Sequence, residues 1–201
     1  MHLEVLVEEL SAEPIVRRVV EHTVPPSSTY DIRVFEGKTD LLGSLVERLR
    51  GYRTWQLPKL RIMVLVDRDD QDCVGLKHDL EQMALEAGLV TKRRADATFQ
   101  VCNRIAVEEL EAWLLGDEPA LQAAFPRLRP FANKAAYRDP DAVTGGTWES
   151  VERLLQRVGY YEGGLRKTDL ASRVAPHLDL SSNRSMSFNA FVSGLNALTT
   201  Q

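Results

Sequence analysis

The sequence predicts an α/β domain built on a mostly parallel four-stranded sheet flanked by helices, with a helical annex at its C-terminal end. Two observations lead there. Strand-like runs alternate with helical patterns through the first half of the chain, the order that crossover helices between parallel strands produce. One of those runs, LRIMVLV at 60–66, is apolar at nearly every position, as a strand covered on both faces must be.

The elements follow in order. LEVLV (3–7) and YDIRVF (30–35) have the length and β-branched content of strands, and TFQVC (98–102) is a weaker fourth candidate. Ile15, Val16, Val19 and Val20 repeat with helical spacing, as do Leu41, Leu42, Leu45, Val46 and Leu49. Pro14 suits the first turn of its helix and Ser11 suits the N-cap. A third helix is expected over 73–87, stopped by Gly88. Further on, VEELEAWLLGD, TWESVERLLQRVG, KTDLASRVAPHL and SFNAFVSGLNAL read as helices, with Thr147, Thr168 and Ser187 as cap-competent starts. Residues 126–147, rich in Pro, Gly and charge, read as an irregular connection. The expected division is an α/β core over 1–118 and a helical region over 119–201 packed on it.

Composition sets limits. With 201 residues and 44% hydrophobic content the chain can bury a sizeable core, and its net charge of −4 excludes a uniformly basic nucleic-acid binder. The charge is uneven: residues 1–118 carry 15 basic and 22 acidic groups, whereas 119–201 carry 10 and 7. A basic lobe beside an acidic one is therefore expected. No apolar run reaches the roughly 20 residues of a membrane span, so no membrane association is expected. Glu4, Glu8 and Glu9 fall where a signal peptide requires an uncharged core, and a cytoplasmic location is expected. The 2 cysteines, Cys73 and Cys102, read as small packed hydrophobes rather than as a disulfide framework or a zinc site.

The acids are clustered, and the clusters follow strands. Glu8 and Glu9 follow the first strand; Asp67, Asp69, Asp70 and Asp72 follow the third. In an open α/β sheet ligands bind outside the carboxyl ends of the strands, so both clusters sit where chemistry is expected. Two side chains at i and i+2 of an extended segment point the same way, so Asp67 and Asp69 can share one hard cation. Glu8 would complete an oxygen-rich site of the kind Mg²⁺ prefers, with Mn²⁺ as a substitute; no histidine at ligand spacing supports zinc. Glu13, Asp72, and Glu109 or Glu111 supply acids enough for a second ion. The same acids also suit helix N-termini and solvated turns, where the helix dipole favours negative charge.

The stretches VEELSAEP, FEGKTDLLGSLVERLR, VLVDRDDQDCVGLKHDL, RIAVEELEAWLLGD and NRSMSF resemble a bacterial Toprim-like family of unknown function, related to OLD-type nucleases. The resemblance spans most of the chain. It implies a Rossmann-like Toprim fold, with Glu8 as the general acid/base, Asp67 and Asp69 as Mg²⁺ ligands, and Glu13 as the second acid of the nuclease version. Glu9 stands where many Toprim proteins have glycine, and Phe35-Glu36-Gly37-Lys38 resembles the primase form of the glutamate motif, so Glu9 and Glu36 compete with Glu8. Lys38, Lys167 and Arg184 are candidate phosphate contacts, since Lys and Arg both recognise phosphate. The implied function is a Mg²⁺-dependent nuclease or other phosphodiester-cleaving or -transferring enzyme acting on nucleic acid, with an ATPase partner and a role in phage defence. The alternative is a non-catalytic Toprim-like scaffold that binds nucleic acid or protein. A phosphatase using Asp67 as nucleophile ranks third, because that motif belongs after a first strand.

Overall fold

A computed structural model describes residues 1–55, 57 and 59–200. Four strands form one sheet: β1 (His2–Val7), β2 (Thr29–Val34), β3 (Leu60–Asp67) and β4 (Val101–Ala106). Their spatial order is β2-β1-β3-β4 and every pairing is parallel. The chain leaves β1 to build β2 on one side, then crosses back to build β3 on the other. The switch point of the sheet thus lies between the carboxyl ends of β1 and β3, where such sheets bind ligands.

Helices cover both faces. α2 (Lys38–Thr54) and α3 (Cys73–Glu86) bury Leu41, Leu45, Leu49, Leu76 and Leu80 against Leu6, Ile62, Val64 and Val66. On the other face α1 (Glu13–Thr23) buries Ile15, Val16, Val19 and Val20 against Leu3, Val5, Met63 and Leu65. Alternation of side chains along a strand sends these two sets to opposite faces, so β3 is apolar at every position from Ile62 to Val66.

The region after residue 110 adds α4 (Glu111–Gly116), α5 (Glu118–Ala124), α6 (Thr147–Gln156), α7 (Lys167–Val174) and α8 (Met186–Thr199). Its apolar residues join the α1 face in one continuous core, in which Trp113 packs on Phe188 and Phe191. α8 returns to the sheet and lies against β4 and β3. Among the described residues no helix is long and apolar enough to cross a membrane.

The structure corrects several local expectations. The fourth strand begins at Val101 rather than at residue 98, and its pattern is disguised by Asn103 and Arg104. Both find partners in the packed structure: Asn103 Nδ2 donates to Glu81 Oε1 over 2.9 Å, although its buried Oδ1 accepts no hydrogen bond, and Arg104 Nε donates to the Ala190 carbonyl over 2.7 Å. Ser11 does not cap α1; it sits in a short 3-10 turn, and its hydroxyl donates to Glu9. Gly146, Arg166 and Ser185 hold the N-cap positions expected of Thr147, Thr168 and Ser187. Of these, Ser185 caps with its side chain, accepting from the Phe188 amide over 3.1 Å.

Candidate metal centre

The end of β1 delivers Glu8 and Glu9, and the end of β3 delivers Asp67. Glu8 Oε2 accepts from the Asp67 amide over 3.2 Å, a side-chain bond that crosses the switch point. The chain after β4 turns into α4 and places Glu109 and Glu111 on the same edge. Lys167, the first residue of α7, reaches in from the other side. Its Nζ lies 3.5 Å from Glu109 Oε1, 3.6 Å from Glu111 Oε2 and 3.9 Å from Glu9 Oε1.

Two of these carboxylates are deeply buried: Asp67 is 6% exposed and Glu111 3%. Burial pushes Asp67 well above the usual carboxylate range, and the neighbouring charges of Glu8, Glu111 and Glu9 push it further. Glu111 is pushed up to about 7 by burial, with Lys167 pulling the other way. Glu8 is also raised, chiefly by burial. For Lys167 burial favours the neutral form, but Glu111, Glu109 and Glu9 outweigh it and hold the ammonium protonated. Glu111 Oε2 accepts no hydrogen bond within the protein, although it is sealed from solvent.

A buried carboxylate oxygen that accepts no hydrogen bond, beside a second buried carboxylate and with one ammonium at 3.6 Å, leaves hard oxygen donors in excess over positive charge. The donors are oxygens of the kind a hard divalent cation takes, but among the described residues the carboxylates of Asp67, Glu8 and Glu111 do not close to within 4.8 Å of one another as a set; His2, Glu4 and Asp31 do. Among the described residues no histidine or cysteine joins it, so the donors do not suit zinc.

Glu109 has a second task. Its Oε2 accepts from the Trp148 amide over 3.0 Å and from the Thr147 hydroxyl over 2.8 Å, which satisfies donors at the start of α6. Lys167 Nζ lies 5.5 Å from the centre of the Trp148 ring. The cation is therefore held between the carboxylates and the residue that Glu109 fixes.

Residues 7–196 match the family described as "Domain of unknown function (DUF4276)". The chain belongs to the DUF4276 family. No curated protein matches it. Among solved structures, the C-terminal region of the OLD protein of Xanthomonas campestris pv. campestris is similar at 18% identity with a TM-score of 0.49, over 96% of this chain and 93% of that one.

Several candidate residues of this DUF4276 protein stand differently from expectation. Asp69 does not share extended backbone with Asp67: the strand ends at Asp67, and Asp69 has a φ of 49° in the left-handed region. Its carboxylate pairs with Lys38, whose Nζ also donates to the Arg68 carbonyl over 3.3 Å. Glu108, at φ 63°, accepts the Asp69 amide on its carbonyl over 2.9 Å and pairs with Arg68 through its side chain. Asp69 and Glu108 then line an open cleft of about 570 Å³ together with Glu109 and the loop through Gly145 and Gly146.

Asp72 caps α3, accepting from the Gly75 amide over 2.6 Å. Glu13 pairs with Arg17 over 2.6 Å and lines a separate cleft with Arg33 and Arg48. Glu36 is exposed, and its amide donates to Asp40. Arg184 donates to the carbonyls of Leu115, Tyr137 and Arg138 over 2.7–3.0 Å, so its guanidinium clamps backbone rather than facing a phosphate. Lys167 is likewise engaged with carboxylates. Its position among them was not visible in the sequence, because α7 and the strand ends lie far apart in the chain.

Proposed function

We propose that this DUF4276 chain is a Mg²⁺-dependent phosphodiester-cleaving or -transferring enzyme of Toprim type, a nuclease acting on nucleic acid, with Mn²⁺ able to replace Mg²⁺. One observation carries the reading: Glu8 and Glu111 both stand near enough to the buried Asp67 to raise its pKa, so acids from three chain segments gather at the switch point of the sheet, and Glu111 Oε2 accepts no hydrogen bond and faces only the Lys167 ammonium at 3.6 Å. Nothing in the stability of a fold calls for that arrangement, since like charges crowded into a buried site around one ammonium cost free energy.

Asp67, Glu8 and Glu111 would hold the ion, which when bound polarises a phosphoryl oxygen and stabilises the attacking and leaving oxygens. Glu8 is the general acid/base: burial raises its pKa toward the working range, and its second oxygen is free of the Asp67 amide. Lys167 offsets part of the charge of Glu9 and Glu109, the carboxylates not engaged by the ion. Asp69, through Lys38, fixes the turn that carries Asp67 to its position. The resemblance to OLD-type nucleases adds an ATPase partner and phage defence as the biological setting.

Cleavage of labelled single- and double-stranded DNA and RNA tests this. Metal-dependent cleavage abolished by Asp67→Ala is the expected result; cleavage that survives Asp67→Ala, or none on any substrate with either ion, contradicts it. A second reading has its own support. The Lys167 ammonium already stands within ion-pair distance of three of the acids, which holds the acidic edge together without a metal, as a Toprim-like scaffold binding nucleic acid or protein would need.

A further inference from the structure

The two outer edges of the sheet are treated differently. At β4 the Val101 amide donates to the Val90 carbonyl over 3.1 Å, and the Val101 carbonyl accepts from the Lys92 amide over 2.8 Å. Beyond it the Asn103 carbonyl accepts from Lys77 Nζ and, over 2.8 Å, from Arg104 Nη1. That edge is closed. Among the described residues nothing pairs with the outer edge of β2.

An open edge is ordinarily guarded by proline, charged side chains (lysine above all), a bulge or a covering element, and the charges that β2 carries, Asp31 and Arg33, are of opposite sign. β2, Thr29-Tyr30-Asp31-Ile32-Arg33-Val34, contains no proline or lysine, and its register with β1 runs unbroken from Thr29 to Val34. Thr29, Asp31, Arg33 and Val34 are exposed, Val34 to 38%.

The parity of the strand says which groups are free. The amides of Thr29 and Phe35 donate to the Met1 and Val7 carbonyls of β1. In a parallel ladder the N–H and C=O of one residue point to the same side, so Asp31 and Arg33 also face β1. Tyr30, Ile32 and Val34 therefore point their N–H and C=O outward.

We propose that this edge pairs with the same edge of a second copy of the chain, antiparallel, about a twofold axis through Ile32. Only one register uses every free group. With Ile32 opposite Ile32 of the second copy, Tyr30 faces Val34, and each opposed pair exchanges both of its N–H···O bonds. On the other face Asp31 lies opposite Arg33 of the second copy, in the pair type whose side chains approach more closely. A twofold axis at residue 31 or 33 would instead oppose like charges, so the charges select the Ile32 register. Within one chain Arg33 Nη2 already pairs with Asp31 Oδ2 over 3.2 Å, but both side chains stay accessible, that of Asp31 53% exposed and that of Arg33 43%, so a second copy would extend the pair into a four-charge network. Arg33 Nε and Nη2 hold the buried Glu4 at 3.0 and 3.4 Å, which fixes the guanidinium in place and leaves Nη1 uncommitted. The dimer would join the two sheets into one and point the two acidic edges in opposite directions, each site complete within its own chain.

Sedimentation equilibrium of the full chain, with amide hydrogen exchange at low and high protein concentration, tests the pairing. The expected result is a monomer–dimer equilibrium in which the amides of Tyr30, Ile32 and Val34 gain protection as concentration rises, while those of Asp31 and Arg33 are protected throughout. Val34→Pro removes an outward N–H without touching the β1 ladder and is expected to give monomer. Asp31→Arg opposes like charges and is expected to weaken the dimer about tenfold or more. A chain that is monomeric at every concentration overturns the proposal, as does a dimer that both variants leave unchanged. Protection of Tyr30, Ile32 and Val34 that does not depend on concentration also overturns it.

Discussion

Lys167 Nζ lies 3.6 Å from Glu111 Oε2, the one oxygen of that buried carboxylate which accepts no hydrogen bond. The two residues come from α7 and α4, and their pairing draws the C-terminal region onto the acidic edge of the sheet. A single ammonium serves Glu9, Glu109 and Glu111, so the site is undersupplied with positive charge.

Removing that ammonium leaves the carboxylates to repel one another. Lys167→Met is expected to destabilise the metal-free protein by about 1–3 kcal/mol. Added Mg²⁺ should then raise Tm more in the variant than in the parent protein, because the ion replaces the missing charge. Thermal unfolding with and without Mg²⁺ measures both effects; an equal Mg²⁺ response in the two proteins would contradict the account.

Glu111 gives the metal-free protein a pH dependence of definite sign. Its pKa is raised in the folded state to about 7 from 4.5, so the folded state binds the proton more tightly than the unfolded chain does. Stability from this group is fully present below pH 4.5 and is lost as pH rises toward 7, on the order of 3 kcal/mol in total. Asp67, raised for similar reasons, acts in the same direction. Urea unfolding of the parent and Glu111→Gln between those limits should show a decline in the parent that the variant reduces.

Glu109 should prove a structural link as well as a charge. Glu109→Ala leaves the Thr147 hydroxyl and the Trp148 amide without their acceptor, at a cost of about 0.5–2 kcal/mol, comparable to losing an N-cap. Glu109→Gln keeps an acceptor there and should cost less. Equal losses in equilibrium unfolding would deny the capping role.

Arg184→Ala separates scaffold from ligand contact. Three backbone carbonyls lose their donor, and the expected loss is about 1–3 kcal/mol of stability. The affinity for nucleic acid at a temperature where the variant is folded should be unchanged. A reduced affinity in a fully folded variant would restore Arg184 to the phosphate-binding role expected from sequence.

The sheet was legible because its strands are short β-branched runs between helical patterns, and β3 announces its burial on both faces by the unbroken apolar run from Ile62 to Val66. β4 was misplaced because Asn103 and Arg104 interrupt the apolar pattern, and only their partners Glu81 and Ala190 explain why a strand tolerates them. Glu8 and Asp67 could be placed on one edge by the rule for parallel sheets. Asp69 was misjudged because the left-handed turn after Asp67 has no sequence mark, lacking glycine. Lys167 and Glu111 became neighbours only through the packing of α4 and α7, which no local spacing encodes.

The central claim, that the three carboxylates form one cation site, is tested most directly by calorimetric titration of Mg²⁺ and Mn²⁺ into the parent protein, Asp67→Ala, Glu8→Ala and Glu111→Gln. The account predicts saturable binding that Asp67→Ala abolishes and that Glu8→Ala and Glu111→Gln each weaken. Binding of equal strength in the parent and all three variants would contradict it.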